Sequence, residues 1–196
     1  MKIAVVPRLL KQYNMPTPTI TRLDELNRLL HCEEEEVKEE LDTNEMGEIN
    51  VTKIIEGLWL GNEASALNRD FLQQNNIQSV IRIQSYDTSE TVKDMYRELE
   101  IAYEYYEVDD IAGEDIKSEL SSIPESISTQ LRAKYNVLVH CRQGASRSPT
   151  FVIAYLMKYE KMDFSDAYTC VKTQRNIVDI NLSFLGDLMT LPTLAN

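Results

Sequence analysis

Apolar positions in this chain change their spacing along its length. Residues 1 to about 20 hold three prolines and read as an extended, mildly basic arm. Leu23, Leu26, Leu30, Val37 and Leu41 then mark a narrow stripe at helical spacing, with Thr21 and Asp24 resembling an N-cap and an acidic first turn. The Glu33–Glu36 run is a solvated face of that helix, with docking as the alternative. "DTNEMGEIN" breaks the pattern and sets a boundary near residue 48. Residues 1–48 are thus an arm and acidic helix, and 49–196 the main domain.

Past this boundary, short apolar runs alternate with amphipathic ones. "LWLGN", "IQSVIRI", "IAYEYYEV" and "NVLVH" predict strands. "SALNRDFLQQN", "TVKDMYRELE" and segments at about 149–160, 164–175 and 182–190 predict helices, and "IKSELSSIPESISTQLRAKY" a helix pair or a helix interrupted at Pro124. The alternation implies an α/β fold, a mainly parallel central sheet flanked by helices, with its ligand site beyond the carboxyl ends of the strands.

One such end carries "YNVLVHCRQGASRSPTFVIAYLM", a strand, a loop of small and polar residues, and a helix. Pro149 suits the first helical turn, where no backbone donor is needed. The loop amides and the free N–H groups of the helix would converge on one point and bind an anion. Gly144 permits a backbone conformation that a side chain would obstruct. Arg147 holds two phosphate oxygens in its planar fork, which lysine does not. The same positive field favours a thiolate at Cys141. Any one of these residues alone is commonplace, a lone cysteine being more often a packed thiol. His140, Cys141, Gly144, Ser146, Arg147 and Ser148 in this order and context are not.

Charge and composition narrow the partners. A net charge of -12 and a pI of about 4.7 oppose binding to nucleic acid or anionic membranes. No stretch approaches the roughly 20 apolar residues of a membrane span, and the four-residue apolar run near the start is too short for a signal-peptide core. Cys32, Cys141 and Cys170 stand at unrelated spacings, forming neither a disulfide framework nor a zinc pattern. A reducing, cytoplasmic location follows, with the nucleus left open. His31 and His140 are too few and poorly placed for a metal site, and no cofactor is implied.

"VHCRQGASRS" resembles the V-H-C-x-x-G-x-S-R-S signature of the dual-specificity branch of the cysteine-dependent protein tyrosine phosphatases. The resemblance extends over about residues 50–194: "GLWLGNEASALN" is similar to the family's opening strand and turn, "DAYTCVKTQR" to its penultimate helix and "NLSFLGDL" to its closing one. It implies a phosphatase-like fold with a Cys-x5-Arg phosphate loop, in which Cys141 attacks phosphorus and forms a phosphocysteine. Arg147 and the amides of Arg142, Gln143, Gly144, Ala145, Ser146 and Arg147 would hold the equatorial oxygens. Ser148 would ease departure of the thiolate, and His140 would orient Cys141 from behind.

One aspartate would supply the leaving group's proton and later take one from water. "YYEVDDIAGEDI" offers Asp109, Asp110 and Asp115. The family's position, second after a valine, selects Asp110, with a register slip onto Asp109 as the risk; Asp115 fits better as a helix N-cap. The family's usual prolines are replaced by Asn176 and Ile180, and a common asparagine by Arg82, changes that could loosen packing beneath the site. The implied substrate is a phosphoprotein, phosphorylated on tyrosine or on serine and threonine, with the oligomeric state open. The alternatives are a phosphopeptide-binding pseudophosphatase, a phosphatase for a non-protein ester, or a sulfur-transfer or arsenate-reducing enzyme.

Overall fold

The computed structural model describes residues 48–191; the arm, the acidic-helix stripe and Cys32 lie outside the described residues. One sheet has the strand order β1-β2-β5-β3-β4, from β1 (Val51–Ile55), β2 (Leu58–Gly61), β3 (Ile77–Gln84), β4 (Ala102–Glu107) and β5 (Asn136–His140). Strands β2, β5, β3 and β4 run parallel, while β1 lies antiparallel on β2. The sequence expectation lacked β1. This edge strand is mostly half-buried and irregular between Lys53 and Ile55, so its alternation is diluted.

Three helical expectations need correction. The segment after β2 is two short helices, α1 (Glu63–Leu67) and α2 (Arg69–Gln74), divided at Asn68. Asn68 ends the first and caps the second, its side-chain oxygen accepting from the Phe71 amide at 2.7 Å. Pro124 divides nothing: α4 (Glu119–Arg132) runs straight through it. The ring removes one rung of the hydrogen-bond ladder, and burial of Pro124 beside Leu120, Ile123 and Ile127 offsets the loss. Asp115 does not cap this helix. Ser118 takes the N-cap position, while Asp115 accepts from the Lys117 amide at 3.3 Å in the preceding turn.

The remaining helices are α3 (Glu90–Glu98), α5 (Arg147–Tyr159), α6 (Phe164–Gln174) and α7 (Leu182–Thr190). On one face of the sheet, Val80 and Leu138 pack with Ala66, Leu72, Tyr96 and Ile101. Tyr96 keeps its hydroxyl satisfied there by donating to the Ala66 carbonyl at 2.9 Å. On the other, α5 is the central helix, meeting β2, β3 and β5 as well as α4, α6 and α7. Every residue from Arg147 to Met157 is buried, which explains the all-round apolar character of "TFVIAYLM". Parallel strands covered on both faces read as continuous apolar runs, as "NVLVH" does. The parallel register brings the carboxyl ends of β3, β4 and β5 together, and the residues that follow each strand share one rim.

Candidate active site

Cys141 is the first residue after β5 and is only 2% exposed. Its sulfur accepts two hydrogen bonds, from the Gly144 amide and the Ser148 hydroxyl, each at 3.2 Å. Both donors stabilise a thiolate.

The loop that follows is held from outside by its carbonyls. The Arg142 carbonyl accepts from the Glu63 amide at 3.1 Å, and that of Ala145 from the Asp179 amide at 2.8 Å. Arg175 donates to the Gln143 carbonyl at 3.0 Å and to the Gly144 carbonyl at 2.8 Å. The Ser146 carbonyl accepts from the Thr150 amide and hydroxyl, at 3.1 and 2.9 Å. In a trans peptide the N–H points opposite to the preceding C=O. Carbonyls pulled outward at positions 142 to 146 therefore turn the amides of Gln143 through Arg147 inward. The Gly144 amide, aimed at the Cys141 sulfur, fits this rule. The result is a ring of donors around one point, an anion site.

Gly144 is required by its backbone. Its φ is +73°, and a Cβ there would lie 2.5 Å from the Gly61 carbonyl oxygen and 2.6 Å from the Arg175 guanidinium.

Arg147 opens α5 and is buried. One terminal nitrogen donates to the Val108 carbonyl at 3.3 Å and the Ser85 hydroxyl at 3.4 Å, groups that follow β4 and β3. Its Nε has no hydrogen-bond partner among the described residues and lies 3.7 Å from the Asp110 carboxylate. A buried guanidinium anchored at one corner, with a donor at Nε that no hydrogen bond uses, is suited to gripping an oxyanion.

Asp109 and Asp110 are both exposed, but it is the Asp110 carboxylate that bonds into this cluster. Asp110 Oδ1 accepts from the Ser146 hydroxyl at 2.8 Å and from the Asn181 amide group at 3.4 Å. Ser148 and Ser146 are both buried, and Arg142 and Gln143 form the exposed rim.

His140 is buried behind the loop, its Nδ1 3.3 Å from the Cys141 carbonyl. A carbonyl only accepts, so Nδ1 carries the proton. Burial and then the charge of Arg82, its strand partner on β3, depress the imidazole pKa to about 3. His140 is neutral and acts by hydrogen bonding. Arg82 does not loosen this region: it is 2% exposed and pairs with Glu63 at 2.7 Å, also donating to the Tyr86 carbonyl at 3.2 Å.

The sequence reading assigned no role to Arg175, Asn181, Asn62 or Asn50. Asn62 caps α1 and bonds back to the Asn50 amide and the Glu48 carbonyl. Asn50 in turn accepts from Arg175. Arg175 is 31 residues from the loop it holds; it ends the segment "DAYTCVKTQR", but nothing in that segment points to the loop. Asn50, Asn62 and Arg175 tie the β1 edge to the loop, while Asn181 bonds to Ser146 and Asp110.

Residues 58–193 match the family model for the dual specificity phosphatase catalytic domain. The chain is 33% identical over 145 residues to dual specificity protein phosphatase MPK-4 of Drosophila melanogaster, covering 72% of this chain and 36% of that one. It is 32% identical over 139 residues to dual specificity protein phosphatase 1B of Arabidopsis thaliana, covering 71% and 80%. Thus it spans about a third of the fly relative's length and most of the plant one's. Among solved structures, the human tyrosine phosphatase-like serine/threonine/tyrosine-interacting protein aligns with a TM-score of 0.62 at 29% identity, covering 70% of this chain and 92% of that one. DUSP15 aligns at 0.63 and 29%, covering 71% and 85%. With this match spanning the loop, the acid segment and the closing helix alike, the chain belongs to the dual-specificity phosphatase catalytic-domain family.

Proposed function

We propose that the chain hydrolyses phosphate monoesters on protein tyrosine and on serine or threonine, through a phosphocysteine at Cys141. The observation that carries this reading is the convergence of three groups from two segments, the loop from Cys141 to Arg147 and the Asp110 segment after β4. A thiol with two donors, a buried arginine with an Nε that no hydrogen bond uses and a carboxylate 3.7 Å from it surround one ring of amides.

The chemistry runs in two steps. The Cys141 sulfur forms a bond to phosphorus as the P–O bond to the side chain breaks, and Asp110 gives its proton to the departing oxygen. Arg147 and the inward amides balance the equatorial oxygens. Water then attacks phosphorus while Asp110 takes its proton, and the sulfur departs as a thiolate, accepting the Ser148 hydrogen bond. Intact catalytic side chains argue against a binding-only pseudophosphatase.

The substrate reading rests on charge. Arg142 is one exposed cation on the loop, in a chain of net charge -12. A phosphorylated side chain brings about two negative charges, which one arginine and a ring of amides can hold, whereas polyanions would be repelled. A cytoplasmic role in signalling, with residues 1–48 as a partner-selecting segment, goes with this reading.

The test compares kcat/KM for a phosphothreonine/phosphotyrosine peptide, a phosphoinositide and a 5′-triphosphorylated RNA. Preference for the peptide is expected. A preference for either other substrate by more than about tenfold, some 1.4 kcal/mol in transition-state binding, would overturn the protein-substrate reading. No turnover of any ester would overturn the enzyme reading.

A further inference from the structure

The proposed acid is gripped by the first turn of α7, and the hydrogen-bond directions there can be worked out from chemistry alone. Asn181 is the N-cap of α7, and its Oδ1 accepts from the Ser183 amide at 2.9 Å and the Ser183 hydroxyl at 2.7 Å. Its other end is therefore the NH2 group, which faces Asp110 Oδ1 at 3.4 Å. The Asn181 backbone N–H, which can only donate, meets the Ser146 hydroxyl oxygen at 3.1 Å. Ser146 accepts there, and its single proton points to Asp110 Oδ1 at 2.8 Å. The acid loop is tied to the same turn again where the Gly113 amide donates to the Ser183 hydroxyl at 3.4 Å.

Two donors thus converge on Oδ1. A carboxyl oxygen receiving two N–H or O–H donors is a poor place for a proton, so a neutral Asp110 carries its proton on Oδ2. That oxygen lies 3.7 Å from the Nε of Arg147, the side chain that the phosphatase reading assigns to phosphate. We propose that Asn181 and Ser146 are positioning residues that assign the transferable proton to Asp110 Oδ2 and hold the acid loop over the thiol. This rests on the phosphatase reading above and adds to it a division of labour between the two carboxyl oxygens.

Asn181 also caps a helix, and the two roles separate by substitution. Asp at 181 keeps an oxygen for the Ser183 amide but has no NH2 for Asp110; Ala has neither. The measurements are kcat/KM on a series of aryl phosphates of rising leaving-group pKa, with thermal melts, on the full chain. In both Asn181→Asp and Asn181→Ala, the ratio of activity on phenyl phosphate to that on a dinitrophenyl ester should fall by about 10- to 100-fold, as for weakened general-acid catalysis. Asn181→Ala should lose the cap's contribution to thermal stability, whereas Asn181→Asp keeps the cap but sets a second carboxylate oxygen against Asp110. Adding Asn181→Ala to Asp110→Asn should leave that ratio where Asp110→Asn alone puts it. A wild-type ratio in Asn181→Asp, or equal losses on all leaving groups, would mean a cap and nothing more. Wild-type protein inert to every ester would instead sink the phosphatase reading itself.

Discussion

Arg175 and Gly144 are joined across 31 residues by a 2.8 Å hydrogen bond from guanidinium to carbonyl. The same side chain reaches the Gln143 carbonyl and the Asn50 side chain. One residue at the end of α6 therefore fixes two peptide planes of the anion loop and anchors them to the chain just before β1. Lysine lacks the planar fork this demands. Arg175→Lys should lower stability by about 2 kcal/mol, from lost charge-assisted bonds, and weaken vanadate binding more than tenfold. Unchanged vanadate affinity would mean the loop holds its shape alone.

Cys141 should be the reactive thiol despite its burial. Iodoacetate, itself an anion, is expected to alkylate Cys141 faster than Cys170, whose sulfur accepts from Gln174 on the flank of α6, and vanadate should protect it. Cys141→Ser should abolish turnover yet keep oxyanion binding, since the amides remain. Substantial activity in that variant would rule out the covalent route.

Asp110 and Asp109 are adjacent, but only one carboxylate is placed to transfer a proton. Asp110→Asn should cost about 100- to 10,000-fold on phosphotyrosine and far less on an activated ester, with the basic limb of the rate–pH profile flattened. Asp109→Asn should change both rates by less than about threefold, as for an exposed surface charge. Equal losses in the two variants would refute the assignment.

His140 links stability to pH with a definite sign. Folded His140 has its pKa depressed to about 3, whereas the unfolded imidazole titrates near 6.5. Below pH 6.5 the unfolded chain binds a proton that the folded chain refuses, so this contribution to stability is complete above pH 6.5 and falls as pH drops toward 3. The slope is about 1.4 kcal/mol per pH unit. Between pH 6.5 and 4.5, His140→Gln should lack that slope, His31 being common to both proteins. Parallel denaturation curves for the two would mean that His140 is protonated in the fold.

Truncation tests whether the chain before Met46 is separate from the chemistry. Because Asn50 holds Arg175 and Glu48 accepts from Asn62, the shortened chain should begin at Met46 rather than at Asn50. It should retain most of its rate on a small aryl phosphate. A collapse of that rate with the fold intact would assign part of the site to the removed segment.

Local spacing carries the four parallel strands, most of the helices and the chemistry of the loop. The runs "IQSVIRI" and "NVLVH" are buried strands because both faces are covered, and apolar continuity records that directly. Gly144, Arg147 and Ser148 stand within seven residues of Cys141, so their cooperation is written in local spacing. What depends on long-range approach was not legible. The antiparallel β1 gains its place from backbone pairing at an edge, which side-chain patterns record weakly. Continuity of α4 through Pro124 depends on burial that outweighs one lost rung. Above all, Arg175, Asn181 and the bond from Ser146 to Asp110 work through directed polar contacts, and contacts of that kind leave no periodicity. Only the folding of α6 and α7 against the loop decides which carbonyls turn outward and which oxygen of Asp110 is left to carry a proton.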